Sequence, residues 1–356
     1  MANRVTLAVA GSRKTQGIVE YCAALPPERR VLALTYTQKN QFELQARLAK
    51  YAGDRLNVEV LGWFTFLLRH IAKPFLPFMF PGRRVLGFNF EGAPFRIAKG
   101  AARFFDKSGA AFAGELARLA KELIAASNGS AIRRLEGIYD EILIDEVQDL
   151  SAHDWDILDA LLASKPDLWM VGDIRQAVLA TNPRSQKNKI YAYAEAIDWF
   201  RSREKMGKLQ IEESVVTWRC HPKIAEFSDT IFDASWKFPK TVSVNEQSTE
   251  HDGVFLVRSE HVDAYVDRYR PQSLRHSVTS AKHLPLDFMN FKVSKGATFS
   301  RVLIAPTTNI SDFIRKGKAL EPMAASTFYV AVTRSQQSVA IVLDAPGTST
   351  LPYWQP

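Results

Sequence analysis

Apolar residues in this chain gather into short, nearly unbroken runs separated by amphipathic stretches. The runs VTLAVA (5–10), VLALTYT (31–37), VEVL (58–61), EILIDE (141–146), LWMVGD (168–173), SVVTW (214–218), GVFLV (253–257), RVLIAP (301–306) and VAIVLD (339–344) are rich in aliphatic and β-branched residues. Continuous apolarity, rather than alternation, suits a strand covered on both faces. Between the runs, KTQGIVEYCAAL, QKNQFELQARLAKYA, HDWDILDALLAS, PKIAEFSDTIF and STFYVAVTRS carry helical spacing. This alternation predicts an α/β protein with parallel sheets.

The alternation breaks over 75–135. There KPFLPFMFPG reads as a proline-punctuated loop and GELARLAKELIAAS as an amphipathic helix, so the segment is expected to be a small, mostly helical insertion in the first sheet. A change of sheet is expected at 212–215. The expected organisation is therefore 1–74 with 136–213 as an N-terminal domain, 75–135 as the inserted domain, and 214–356 as a C-terminal domain.

Composition narrows the class. The chain has 356 residues, 46% hydrophobic and 24% charged, which is the balance of a soluble globular protein. No apolar run is long enough to span a bilayer. The start, MANRVTLAVAGS, has no small-residue cleavage site and reads as no signal peptide. Two cysteines, Cys22 and Cys220, make neither a disulfide framework nor a metal site, so both are expected to be buried and the location cytoplasmic. The formal net charge is +8, and the inserted segment contributes most of it, with ten Lys/Arg against four Asp/Glu. Nine phenylalanines share that segment. Cations interleaved with flat rings suit single-stranded nucleic acid, phosphates meeting the charges and bases the rings. A small helical core with a wet basic face is the alternative.

Three short motifs carry chemistry. AVAGSRKTQG (8–17) links a strand to a helix, so Gly11, Ser12 and Arg13 lie where a helix N-terminus offers free N–H groups to phosphate. Lys14 is placed to reach the outer phosphates and Thr15 to hold Mg²⁺. In ILIDEVQD, Asp145 and Glu146 end an apolar strand, where α/β sheets bind ligands. Asp145 there can hold Mg²⁺ and Glu146 can deprotonate a water. In LWMVGDIRQ, Gln176 follows a third strand end and is placed to sense the γ-phosphate.

With these residues in place the chain resembles a superfamily 1 helicase of the UvrD/Rep/PcrA type. AGSRKT, LALTYTQKNQFELQARL, WFTFLLRHI, ILIDEVQDLSAHDWDIL, MVGDIRQAV, WRCHPKI, FKVSKGATFSRVLI and FYVAVTRSQQSVAIVL are similar to that family's motifs, in family order. The resemblance implies two RecA-like parallel-sheet domains, ATP and Mg²⁺ as cofactors, and single-stranded DNA as partner, with RNA not excluded. It implies Arg219 and Arg334 as arginine fingers from the second sheet, Trp218 beside the base, and Gly296 at the nucleotide. For the strand it implies Thr35, Tyr36, Trp63, Phe64, Thr65 and Lys292.

The chain departs from the pattern in several places. Ala8 and Arg13 stand where the phosphate loop has glycines, and Thr298 replaces a glutamate, as in the Pif/RecD-like branch. The first strand comes so early that the family's upstream adenine-reading segment is not expected. The run after Gln176 lacks the family's stacking aromatic. Only about 70 residues separate Arg219 from Lys292, too few for the large accessory insertion. The expectation is a minimal DNA-dependent ATPase and helicase or translocase. The alternatives are an ATP-gated binding switch with weak hydrolysis, or a motor subunit working with a protein partner such as a nuclease.

Overall fold

The computed structural model describes residues 3–53 and 56–356. They form two compact units. The first takes up residues as far as Leu7, then Lys14–Gly172 and Leu179–Glu212. Its sheet is built from Arg4–Ala8 (β1), Val31–Thr35 (β2), Val58–Gly62 (β3), Glu141–Asp145 (β6), Asp167–Gly172 (β7) and Gln210–Ser214 (β8), in the order β3-β2-β6-β7-β1-β8. From β3 to β1 every pairing is parallel. All five residues of β2 and of β6 are buried, which is why both read as unbroken apolar runs. The helices Lys14–Ala24 (α1) and Gln38–Ala52 (α2) cover one face. Ile18, Val19 and Cys22 of α1 and Leu44 and Leu48 of α2 pack on Ala33, Val60, Leu143 and Val171.

Between β3 and β6 lies the inserted segment. A helix begins at Trp63–Phe66, continues as a π-helix over Leu67–Ala72, and ends in short turns at Lys73–Phe75 and Leu76–Phe78. The stretch expected as a proline-punctuated loop therefore stays helical as far as Phe78. Pro74 stands in the short α-helical turn that directly follows the π-helix. Gly87–Asn89 (β4) and Ala110–Phe112 (β5) form a two-stranded parallel ribbon. The helix Leu116–Ala126 buries Leu116, Leu119, Ala120 and Leu123, the amphipathic stripe seen in the sequence. Ser130–Ile138 then leads back to β6.

A buried polar knot fastens this segment to the sheet edge. His70 Nδ1 accepts from Arg134 Nη1 at 3.2 Å, and its Nε2 meets the Tyr139 hydroxyl at 3.2 Å while that hydroxyl donates to Glu59 of β3. A ring accepting at Nδ1 must be neutral. Burial, helped by the Arg134 and Arg69 cations and opposed by Glu59, pushes the His70 pKa down to about 4.

The second unit takes up Ala8–Arg13, Asp173–Val178 and Glu213–Pro356. Val216–Thr217 (β9) pairs with Val242–Ser243 (β10). Gly253–Val257 (β11), Gln272–Arg275 (β12), Phe288–Asn290 (β13), Phe299–Ile304 (β14) and Ser335–Val342 (β15) make an all-parallel sheet in the order β11-β15-β14-β12-β13. The run expected as a strand over 214–218 contributes only β9. The preceding exposed QIEES is instead the edge strand of the first sheet. The fold class is thus α/β, with two RecA-like parallel sheets and a small insertion in the first.

Because His70 is neutral when folded but protonates in the unfolded chain near its ordinary pKa of 6.5, the unfolded state binds more protons as pH falls through that value. Stability is therefore full above about pH 6.5 and lost on going down toward pH 4. Denaturant unfolding should show a lower midpoint at pH 5 than at pH 7, with a smaller pH dependence in His70→Gln. An unchanged pH dependence in that variant contradicts the assignment.

Candidate functional site

In the first unit the C-terminal ends of β6 and β7 face the start of α1. Thr15 Oγ1 donates to Asp145 Oδ2 at 2.9 Å. Lys14 Nζ lies 3.5 Å from Glu146 Oε1, and both side chains are largely buried. Gln148 Nε2 donates to the second Glu146 oxygen. Glu146 itself has the left-handed backbone φ of 57°, an unusual conformation for a non-glycine residue. Gly172, at the end of β7, makes room for the segment after Glu146, since a Cβ there would sit 3.0 Å from Val147 and run into the Gln148 side chain. Burial raises the Asp145 pKa and the Glu146 carboxylate raises it further, with Lys14 and Thr15 opposing.

These donors fit a magnesium ion. A hydroxyl and a carboxylate are hard oxygen ligands, and Mg²⁺ typically takes only one or two protein ligands beside water and phosphate. Among the described residues no group of three or more His, Cys, Asp or Glu converges to hold a metal. The Ser12 hydroxyl, one of the loop groups expected near phosphate, is buried with no hydrogen-bond partner among the described residues.

In the second unit, Ala8–Arg13 is clasped by the segment after β9. Trp218 N–H donates to Gly11 O at 3.0 Å, and Thr217 Oγ1 to Ala10 O at 2.7 Å. Tyr329 Oη accepts from the Ala10 N–H at 3.3 Å. Gly11 has φ +76°, and a Cβ on it would lie 2.6 Å from Arg219 Cβ. Arg13, standing where a loop glycine was expected, also takes a left-handed φ of 61°. Its guanidinium lies 3.9 Å over the half-exposed Trp218 ring. Gln176 donates to Asp173 at 2.6 Å and accepts from Arg334 Nη2 at 2.8 Å. Arg334 is fully buried, also donating to Val330 O and Ala297 O. Arg219 Nη1 donates to Thr333 O at 3.2 Å. Gly296, at φ +84°, and Lys292 are exposed.

Of the residues expected at a strand, Tyr36, Phe64 and Thr65 line a cleft of 410 Å³ with Thr37, Gln38 and Gln41. Tyr36 and Phe64 also line a second cleft, of 660 Å³. Their ring centroids are 6.1 Å apart. Two expectations are corrected. Trp63 is 1% exposed and donates its indole N–H to the buried Asp154 at 2.7 Å, so it is a core residue with no face for a base. Thr35 is equally buried at the end of β2, its hydroxyl turned to Thr37 O. Sequence reading missed Phe88 and Phe90. Phe90 is 63% exposed, lines both clefts, and sits edge-on to Phe64 at 5.4 Å; Phe88 is a further 5.4 Å along. The exposed phenylalanines of the inserted segment were the available signal.

Two glycine substitutions separate a built turn from an ordinary helix position. Gly11→Ala should destabilise by at least about 1 kcal/mol, from left-handed strain alone. Gly17→Ala, inside α1 with open space around it, should stabilise by up to about 1 kcal/mol. Thermal unfolding of the two variants checks this, and midpoints shifted in the same direction would contradict it.

Residues 98–181 match the UvrD/REP helicase N-terminal domain family. No curated protein matches the chain. Among solved structures, the arterivirus nonstructural protein 10 (helicase) in complex with DNA is similar at 14% identity and TM-score 0.50, over 96% of this chain and 61% of that one. A crystal structure of the same arterivirus protein gives 14% identity and TM-score 0.49, over 96% and 59%. The chain thus spans about 60% of the length of these helicases. The match to the UvrD/REP helicase N-terminal domain family thus covers 84 of the 356 residues, and the likeness to the arterivirus helicase is one of fold.

Proposed function

We propose that this chain is an ATP-driven nucleic-acid motor, hydrolysing ATP and moving on single-stranded DNA. The observation that carries the reading is the pair of contacts at the end of β6: Lys14 on Glu146 and Thr15 on Asp145. Lys14 supplies a compact cation for the outer phosphates and pairs with Glu146. Glu146, gripped on its other oxygen by Gln148, is oriented as the base that takes a proton from the attacking water. Magnesium bound through Thr15 and Asp145 would neutralise charge on the phosphate oxygens. Gln176 is oriented by Asp173 and Arg334, which suits it to report the state of the γ-phosphate. Arg219 and Arg334 are assigned as the transition-state cations on the resemblance. Lys292 and Gly296 are assigned to strand and nucleotide on the same ground. Tyr36, Phe64 and Thr65 receive the strand.

One observation favours the second reading, an ATP-gated binding switch with weak hydrolysis. Arg13 covers a face of Trp218, the ring assigned to the base. Efficient strand displacement on a tailed duplex would exclude that switch.

ATP turnover, measured with and without a single-stranded oligonucleotide, tests the proposal. Wild type should be stimulated by the strand. Glu146→Gln should lose about 10²- to 10⁴-fold, the range of a general base, and Lys14→Ala should lose turnover altogether. Equal slow rates in all three chains would overturn it.

A further inference from the structure

The inserted segment carries apolar side chains where water should be. Phe90, Phe95 and Ile97 are 63%, 86% and 86% exposed, within a stretch that also holds the exposed Arg96. Exposed apolar clusters rimmed by charge mark interaction surfaces. Of the three residues, Phe90 belongs to an ordered set of rings. Tyr36, Phe64, Phe90 and Phe88 form a row with successive ring centroids 6.1, 5.4 and 5.4 Å apart. The first three line both clefts, so the row stands between them.

The two clefts differ in charge. The 410 Å³ cleft is lined by aromatic and neutral polar residues only. The 660 Å³ cleft presents Arg96, Arg103, Arg118, Arg184 and Lys187 against a single acid, Glu115. Glu115 is taken up by Arg103 through two bonds of 3.1 Å, and Arg118 pairs with Glu122. Among the described residues no ion pair engages Arg96, Arg184 or Lys187. The site therefore offers three uncompensated cations on one side of a row of ring faces. A compact anion would use the cations and leave the rings bare, and an acidic peptide would gain little from four aromatics in file. A flexible polyanion that carries a flat ring at every unit uses both.

We propose that Phe88 and Phe90 extend the Tyr36–Phe64 pair into a base-stacking platform for single-stranded nucleic acid. The strand's phosphates run through the 660 Å³ cleft past Arg96, Arg184 and Lys187. The inference deepens the proposed function, since this is the strand the motor would travel on. It is tested by binding without nucleotide, so a chain that hydrolyses nothing still answers it.

The probes are fluorescein-labelled dT20 and U20, bound to the full chain and followed by anisotropy across a salt series. Phe90→Ala should weaken binding about 5- to 150-fold, the effect of losing one stacked base, and leave the salt dependence unchanged. The triple variant Arg96→Ala, Arg184→Ala, Lys187→Ala should lower the slope of log affinity against log salt by about 2, near 0.7 for each phosphate no longer neutralised. Circular dichroism confirms that each variant is folded. Loss with either the DNA or the RNA strand supports the platform. Wild-type affinity and slope in both variants would overturn it. So would polyglutamate of equal charge displacing the strand as well as unlabelled dT20 does, because an acidic protein segment would then be the better occupant.

Discussion

A carboxylate buried at the end of an apolar strand sets the terms for everything around it. Asp145 is 3% exposed, and burying an ionised acid is costly unless it is bonded and balanced by a cation. The Thr15 hydroxyl and the Glu146 amide each donate to it. Lys14 supplies charge from the first turn of α1 while pairing with Glu146. The position of β6 in the middle of the sheet, flanked by β2 and β7, is what removes Asp145 from water. Fold and chemistry are thus one constraint: the strand order creates the burial, and the burial selects the partners.

The parts of the fold legible in sequence are those whose signal is local. β2, β6 and β7 are covered on both faces, so their apolar runs are unbroken, and the acids at the end of β6 stand out against them. The elements that escape such reading are short or exposed. β12 and β13 hold four and three residues, too few for a pattern. β8 reads QIEES, an edge strand whose charges mask it. Trp63 misleads because an aromatic at a helix start has the same local signature as a stacking ring. Its partner Asp154 is 91 positions away, beyond any local pattern. Phe90 is hidden for the opposite reason: it is one of nine similar residues in its segment, and only the tertiary fold singles it out.

Arg13 shows how a departure from a family pattern can be absorbed. A left-handed backbone with a side chain carries a strain of order 1 kcal/mol or more. The guanidinium over Trp218 returns a cation–π contact worth roughly 0.5–1 kcal/mol at an exposed site. The loop therefore keeps its turn without the glycine, at the expense of occupying a ring face. Gly11 has no such freedom, because its neighbour Arg219 stands where a Cβ would go.

Thr15 and Asp145 are proposed to form a cation site serving a nucleotide held by Lys14. ATP binding measured across a magnesium series, for wild type and Asp145→Asn, tests it most directly. Wild-type affinity should tighten with magnesium, while the variant's should stay flat at the magnesium-free value. The same magnesium dependence in both chains would contradict it.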